Sequence, residues 1–277
     1  MSADELVLHR ILTHADGGGR ADISGIPTGF PSADRLLGGG LRRGDLVVLA
    51  GEVGVGKSAL ALALALRAAT NGHVTLVTSG EGRPERLLER LIAMQARISL
   101  DDMRRGSLDA DTRAAMGAAA FALREQAPLL EQLPPGDLGA LTDSLRRTLD
   151  LELAVVDGLP SLATGIRPHD EELATAVSTL KRLAVELDTA IVVTVPLAQP
   201  VAGRADPRPT LGDLGALGVP AQLADVVLGL FREEMYQRDR GIEGATELHV
   251  LKNRHGPTGW VDLYFYQRWL RFEDVVE

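Results

Sequence analysis

The sequence predicts an α/β fold in which a mostly parallel sheet is flanked by helices and extended by a C-terminal β-hairpin. Short apolar segments typical of buried strands alternate with helix-forming segments along most of the 277 residues, which favours parallel strands joined by right-handed crossovers. A glycine-rich loop joins the first strand to a helix at residues 51–58. Near the end of the chain, Thr246–Leu251 and Trp260–Tyr266 form a predicted hairpin around Gly256–Gly259.

Each predicted element rests on apolar patterning bounded by turn residues. The predicted strands before the hairpin are Asp45–Ala50, His73–Thr78, Pro128–Leu133, Glu152–Val156, Ala190–Val195 and Asp225–Phe231. The predicted helices are Ser58–Arg67, Pro84–Arg97, Asp111–Gln126, a helix capped by Asp137 that ends at Leu149, and Asp170–Asp188. We expect Asp101–Gly106 to be irregular and the proline-rich stretch Gln199–Leu211 to be an exposed loop.

Composition limits the class of protein and the predicted domains. The absence of cysteine excludes disulfides, thiolate metal sites and thiol catalysis, and no apolar run is long enough to span a membrane. These features predict a cytoplasmic protein without membrane contacts. The net charge of −9 argues against a basic nucleic-acid-binding surface over the whole domain, although a local basic groove stays compatible with it. We predict a short helix, Ala3–Leu12, and a linker within residues 1–20, followed by one domain at 21–277.

The loop at residues 51–58 matches G-x-x-x-x-G-K-[ST], the phosphate-binding P-loop. Glycines allow several backbone N–H groups to point at one anion, and the following helix adds its positive N-terminal end. Lys57 is expected to reach the β- and γ-phosphates, and Ser58 is expected to offer its hydroxyl to Mg²⁺. The predicted nucleotide-binding residues are Gly51, Val53, Gly54, Val55, Gly56, Lys57, Ser58 and Ala59.

Lysine is scarce in this chain, since only Lys57, Lys181 and Lys252 occur among 29 basic residues. A composition that replaces lysine by arginine elsewhere suggests that each remaining lysine sits where a compact ammonium group is needed. Two of the three lie in motifs predicted to handle phosphate.

Two acidic residues follow buried strands and are expected near the P-loop. Asp157 ends the apolar segment 153–157, the usual form of a Walker B element whose carboxylate holds Mg²⁺ against Ser58. Glu81 follows the second strand, where a carboxylate can orient and deprotonate the attacking water. The spacing of Glu81 equally fits an N-capping acid for the helix that begins at Pro84. We expect Glu52, within the loop itself, to be solvated.

Lys252 and Arg254 lie at the end of a late strand, just before a tight turn. Two cations at a hairpin tip often only make an edge more soluble. In an oligomer they can instead reach the neighbouring subunit's nucleotide and stabilise charge that develops on the γ-phosphate.

Taken together, these motifs resemble the RecA-like C-terminal motor domain of the DnaB-type replicative helicases. The resemblance runs from Ile26 to Phe272 and rests on several segments in addition to the P-loop. These segments are Ile26–Phe30 with Asp34–Leu36, Ser79–Glu81, Asp157, Ala224–Leu228, Phe231–Glu234, Lys252–Gly259 and Trp269–Glu273.

The resemblance implies a hexameric ring that binds ATP and Mg²⁺ at subunit junctions, with Glu81 as the catalytic glutamate. Lys252 and Arg254 would act on the ATP of the adjacent subunit. Single-stranded DNA would pass through the centre of the ring and contact loops to which Arg204 and Arg208 belong.

The sequence departs from the family pattern in three places. Before Ile26 we expect only the short segment Ala3–Leu12, where the family has the linker helix that follows its N-terminal domain. Pro196 stands where the family commonly has a glutamine that senses the γ-phosphate, and proline cannot make that contact. Asp213–Gly218 stands where the family has Arg-Glu-Ser in a DNA-contacting loop, so one phosphate contact is lost.

Two alternatives to a helicase motor stay open from the sequence. One is a regulatory or assembly ATPase of the RecA superfamily, resembling RadA or KaiC, that has lost DNA unwinding. The other is a structural module that binds ATP without hydrolysing it. DNA-stimulated turnover is the property that separates the motor from both.

Overall fold

A computed structural model of the protein describes residues 25–164, 170–198, 201, 203–236 and 242–275, with Leu217 described by its backbone alone. The predicted N-terminal helix Ala3–Leu12, its glycine linker and the predicted domain boundary after residue 20 lie outside the described residues. Within these ranges, no helix is both long enough and apolar enough to cross a membrane.

The described residues form a nine-stranded sheet at the centre of the molecule. In chain order the strands are β1 (Leu46–Gly51), β2 (Thr75–Ser79), β3 (Leu129–Gln132), β4 (Leu153–Asp157), β5 (Ala190–Pro196), β6 (Val226–Arg232), β7 (Ala245–Asn253), β8 (Gly259–Tyr266) and β9 (Arg271–Asp274). Their spatial order is β3-β2-β4-β5-β1-β6-β7-β8-β9. Strands β1 to β6 are parallel, and the last three continue one edge in antiparallel pairs. The predicted fold class is confirmed.

Helices cover both faces of the parallel part of the sheet. They are α1 (Pro31–Leu37), α2 (Lys57–Thr70), α3 (Pro84–Ala96), α4 (Leu100–Arg105), α5 (Ala110–Gln126), α6 (Leu138–Arg147), α7 (Asp170–Leu187) and α8 (Val219–Leu223). Apolar residues of α1, α2, α3 and α5 pack on one face, and those of α6 and α7 pack on the other.

Strand β1 shows why the sheet needs both layers. Successive side chains of a strand point to opposite faces, so Val47 and Leu49 enter the core under α2. Leu46 and Val48 enter the core under α7. Every residue of β1 is buried, as a continuous apolar run in a parallel strand predicts.

The prediction of an irregular segment at Asp101–Gly106 is wrong, because residues Leu100–Arg105 form the helix α4. The Ser99 side chain caps this helix by accepting a hydrogen bond from the Asp102 N–H at 3.4 Å. Acidic residues in its first turn and arginines in its last turn complement the helix dipole. Local capping and charge outweighed the polar composition on which the prediction relied.

The carboxyl ends of the parallel strands β1, β2, β4 and β5 lie together at one end of the sheet. Gly51 is level with Pro196 on β5, and Ser79 is level with Asp157 on β4. In open parallel sheets ligands bind beyond the carboxyl ends of the strands. The P-loop, Glu81, Asp157 and the loop after β5 therefore all begin at the same end of the molecule.

Phe272 connects the C-terminal strand to the core beneath the P-loop. Its ring is fully buried and stacks on Phe265 with centroids 4.3 Å apart. We expect Phe272→Ala to lower the free energy of unfolding by about 3–5 kcal/mol, because it leaves a cavity. The measurement is chemical denaturation, with Phe121→Ala as the control, since Phe121 is 69% exposed. A loss for Phe272→Ala that is no larger than that of the control would contradict this prediction.

Candidate active site

The P-loop wraps from the end of β1 to the start of α2, as its sequence predicts. Gly56 has a φ of 111°, a left-handed value that favours glycine. A Cβ at this position would lie 3.1 Å from Cζ of Phe272. Because the helix begins at Lys57, its first-turn N–H groups have no intrahelical acceptors. The loop therefore combines a tight backbone with donors that remain available to an anion.

Lys57 folds back over the loop. Its Nζ donates to the carbonyl oxygens of Gly51 at 2.9 Å and Glu52 at 2.8 Å. Burial lowers the pKa of Lys57, and the nearby carboxylates of Asp157, Glu81 and Glu52 act in the opposite direction. The ammonium group is thus partly desolvated, which strengthens its attraction to an anion that enters the site.

Asp157 meets the P-loop through Ser58. The Ser58 hydroxyl donates to Oδ1 of Asp157 at 2.8 Å, and Thr194 on β5 donates to the same oxygen at 2.9 Å. The Thr194 hydroxyl also accepts a hydrogen bond from the Gly158 N–H at 2.7 Å. Hydroxyl and carboxylate oxygens are suitable ligands for Mg²⁺. Sequence analysis missed Thr194, because only the pairing of β4 with β5 brings it beside Asp157.

Glu81 faces the same cavity, which has a volume of about 760 Å³ and is lined by P-loop residues, Glu81 and Asp157. Its Oε1 lies 3.1 Å from the position that a Cβ on Gly158 would occupy, so the side chain reaches the end of β4. The Ser79 hydroxyl accepts from the N–H groups of Glu81 at 3.2 Å and Gly82 at 3.1 Å. Helix α3 is capped at Arg83 without a side-chain hydrogen bond. Glu81 is therefore not its N-capping acid.

Arginines that sequence analysis did not select line the same cavity. Four of them come from α3, the residue before it, and α4: Arg83, Arg86, Arg90 and Arg104. A fifth, Arg232 at the end of β6, has only 7% of its side chain exposed. Its Nη1 lies 3.5 Å from the carbonyl oxygens of Gly54 and Val55, and its Nη2 binds the Glu234 carboxylate. These positive side chains suit a polyanionic ligand.

The expectation that Glu52 is solvated is wrong. Its carboxylate accepts a hydrogen bond from the Tyr236 hydroxyl and a longer one, 3.4 Å, from the Val201 N–H. Burial, followed by the hydrogen bond to Glu52, raises the pKa of Tyr236. Glu52 therefore joins the P-loop to the segments that follow β5 and β6, a link that depends on long-range folding.

Pro196 lies level with Gly51 in the parallel pairing of β5 with β1. The next residue, Leu197, donates its N–H to the Gly51 carbonyl at 3.2 Å. The proline side chain thus stands beside the start of the P-loop and carries no polar atom.

Lys252 and Arg254 lie near the start of strand β6, whereas the chain's own P-loop lies near the end of that strand. Asn253 is level with Val226, the first residue of β6, whereas Arg232 ends β6 beside the P-loop. Six residues of an extended strand span about 20 Å, so neither cation reaches its own nucleotide cavity. Lys252 Nζ donates to the carbonyls of Ala221 at 2.8 Å and Gln222 at 2.9 Å.

The two arginines of the loop after β5 are each paired with an acid. Arg204 binds Asp213 through two contacts of 3.0 Å, and Asp213 also caps the short helix that begins at Leu211. Arg208 binds Glu247 on β7 at 2.6 and 2.7 Å. Any phosphate that binds here therefore competes with carboxylates that already occupy the guanidinium groups.

Comparison with known proteins identifies the family. Residues 25–274 match the family model described as the DnaB-like helicase C terminal domain. This chain belongs to that family. The replicative DNA helicase DnaB of Geobacillus stearothermophilus is 29% identical over 261 residues, which cover 92% of this chain and 57% of the relative. DnaB of Leifsonia xyli subsp. xyli is 31% identical over 269 residues, which cover 95% of this chain and 58% of the relative.

Two solved structures have the same fold as this chain. The ATPase domain of G40P aligns with a TM-score of 0.89 at 23% identity and covers 99% of each chain. A DnaB-like replicative helicase, studied for its interactions with primase, aligns with a TM-score of 0.88 at 24% identity. That alignment covers all of this chain and 67% of the other. The family resemblance predicted from the motifs is confirmed, and this chain spans less than two thirds of the length of either DnaB relative.

Proposed function

We propose that this chain is the ATP-hydrolysing motor domain of a DnaB-class helicase that acts on single-stranded DNA as an oligomeric ring, with six subunits expected. The observation that carries the proposal is the 2.8 Å contact between Ser58 and Asp157, in a cavity that also contains Lys57 and Glu81. This arrangement fits a magnesium-bound triphosphate. The cytoplasmic location predicted from the sequence belongs to the same proposal.

The P-loop would hold the phosphates of ATP. Its residues Gly51, Val53, Gly54, Val55, Gly56, Lys57, Ser58 and Ala59 would surround them, with the N–H groups at the start of α2 as donors. Lys57 would exchange its two carbonyl partners for phosphate oxygens. Ser58 and Asp157 would hold Mg²⁺, with Thr194 orienting Asp157. The bound metal would neutralise charge on the phosphates.

Glu81 would act as the general base. Its carboxylate reaches the end of β4 from the cavity wall, so it can accept a proton from a water molecule that attacks the γ-phosphate. The proton moves from the water oxygen to a Glu81 oxygen as the bond from water to phosphorus forms and the bond to the β-phosphate oxygen breaks. Pro196 offers no γ-phosphate sensor, and for this reason we expect slow turnover.

Lys252 and Arg254 would complete the site of an adjacent subunit. Their distance from the chain's own P-loop argues against a role at that P-loop in the same subunit. In a ring with head-to-tail contacts, the hairpin end of one subunit would lie beside the nucleotide of the next. Positive charge supplied in this way stabilises the transition state of phosphoryl transfer.

The predicted DNA contacts are Arg204 and Arg208. The relatives are named replicative DNA helicases, and Arg204 and Arg208 lie in the loop after β5. Both must leave a carboxylate partner to bind a phosphate. We therefore expect weaker DNA stimulation than a loop with unpaired arginines would give.

The deciding experiment measures ATP turnover with and without single-stranded DNA, together with particle size with and without ATP. We expect assembly into rings and turnover stimulated by DNA, with binding that weakens as salt rises. The Arg204→Ala and Arg208→Ala variants should each lower the salt dependence of binding by about one unit of slope. Turnover indifferent to DNA would contradict the helicase assignment and favour a regulatory ATPase. Assembly without turnover would contradict ATP hydrolysis.

A further inference from the structure

Lys181 does not line the nucleotide cavity. It lies on α7, and its Nζ binds Oδ2 of Asp225 at 2.6 Å and the Gly44 carbonyl at 3.0 Å. The Asp225 side chain is 4% exposed and that of Lys181 is 24% exposed. A buried carboxylate requires compensation by opposite charge. Lys181 therefore balances the negative charge of Asp225, the residue directly before β6.

Asp225 also holds Arg254 at two points. Arg254 Nε binds Oδ1 of Asp225 at 2.9 Å, and the Arg254 N–H donates to the Asp225 carbonyl at 2.8 Å. The Arg254 side chain nevertheless remains 54% exposed. Among the hydrogen bonds between described residues, none involves the two terminal amino groups of the Arg254 guanidinium, and such groups can bind phosphate in a bidentate manner.

The neighbouring residue, His255, is tethered as well. Its Nε2 lies 2.8 Å from Oδ2 of Asp45, the residue directly before β1. Asp45, Asp225 and His255 bring potential ligand atoms within 4.8 Å of one another. Asp225 already pairs with Lys181 and Arg254, so this cluster has its charge balanced by side chains. These contacts tie the end of the hairpin to the residues that precede β1 and β6.

We infer that Asp225, balanced by Lys181, is a positioning residue for Arg254 that presents the outer edge of its guanidinium to the nucleotide of the adjacent subunit. The inference rests on the proposed trans-acting role of Arg254. A fixed guanidinium loses less conformational freedom when it binds the transition state. Asp225 itself touches neither the phosphate nor the attacking water.

Asp225 also accepts the Leu46 N–H at 2.9 Å, so a purely structural effect on β1 and the P-loop must be separated from positioning. Rings assembled from two kinds of subunit separate them, because each junction combines the P-loop of one subunit with the hairpin of another. Glu81→Gln subunits have a defective site and an intact hairpin. Arg254→Ala subunits have an intact site and a defective hairpin.

We expect Asp225→Asn rings to lose turnover by about tenfold or more, from lost orientation of Arg254, with ATP binding and assembly retained. Mixing Asp225→Asn with Glu81→Gln subunits should restore activity above that of either alone. Mixing Asp225→Asn with Arg254→Ala subunits should not. The opposite pattern, rescue by Arg254→Ala and none by Glu81→Gln, would show damage to the variant's own P-loop and overturn the inference.

The mixture of Glu81→Gln with Arg254→Ala subunits tests the proposed function separately. If this mixture shows no gain despite verified subunit mixing, Arg254 does not act in trans. If it gains activity but Asp225→Asn with Glu81→Gln does not, only the role of Asp225 is wrong. Should Asp225→Asn fail to fold, the Asp225→Asn, Lys181→Met double variant removes both charges of the pair together and must give the same complementation pattern. Asp188→Asn, which alters an exposed partner of Arg43, is the control with wild-type turnover.

Discussion

Replacing Glu81 by glutamine is expected to lower kcat for ATP hydrolysis by about 10²–10⁴-fold, the usual contribution of a general base. The amide keeps the shape of the side chain but cannot accept a proton from water. Because Glu81 lines the cavity without contacting Lys57 or Ser58 in any hydrogen bond of the described residues, ATP affinity should stay within about twofold of wild type.

Measurement of Glu81→Gln requires steady-state turnover and, separately, equilibrium binding of a fluorescent ATP analogue. Glu85→Gln is the matched control, since Glu85 is an exposed acid in the first turn of α3 and does not line the cavity. Wild-type turnover in Glu81→Gln would exclude the residue as the base. A loss of ATP binding equal to the loss of turnover would assign it to nucleotide binding instead.

Arg254→Ala is expected to lower kcat by about 10³-fold or more in assembled rings, as removal of an arginine finger does. The cause is lost stabilisation of charge on the γ-phosphate of the adjacent subunit. The ATP affinity of dissociated subunits should change little, because the length of β6 places Arg254 about 20 Å from its own P-loop. The effect must therefore depend on assembly.

The test compares Arg254→Ala with wild type above and below the concentration at which rings form. Above it, the difference should be large; below it, both proteins should show the same low turnover. Arg43→Ala is the control, because Arg43 is a partly exposed arginine that pairs with Asp188. A large difference between dissociated subunits would contradict a role in trans, and equal turnover of the rings would contradict any catalytic role for Arg254.

The three lysines show how composition and structure combine. Their scarcity predicted that each sits where a compact ammonium group is needed. In the structure Lys57 bonds to P-loop carbonyls, Lys181 to Asp225, and Lys252 to carbonyls at the end of α8. Burial and the adjacent Arg254 lower the pKa of Lys252, and the nearby Asp225 acts in the opposite direction.

The sequence by itself determined the elements whose signals are local. The spacing of the P-loop, the apolar run that ends in Asp157 and the alternation of strands with helices all depend on neighbouring residues, and the structure contains each of them. Local composition gave the wrong state where capping favoured a helix, as in the Ser99-capped helix α4. It also gave the wrong environment where a distant partner forms a hydrogen bond, as with Glu52 and Tyr236.

Tertiary structure alone decided which distant residues meet. The strand order places β5 between β4 and β1, and this places Thr194 beside Asp157. The antiparallel pairing of β7 with β6 carries Arg254 away from its own P-loop to Asp225. No spacing in the chain encodes these contacts, because they arise from burial of two apolar sheet faces under separate helix layers, a free energy that belongs to the whole fold.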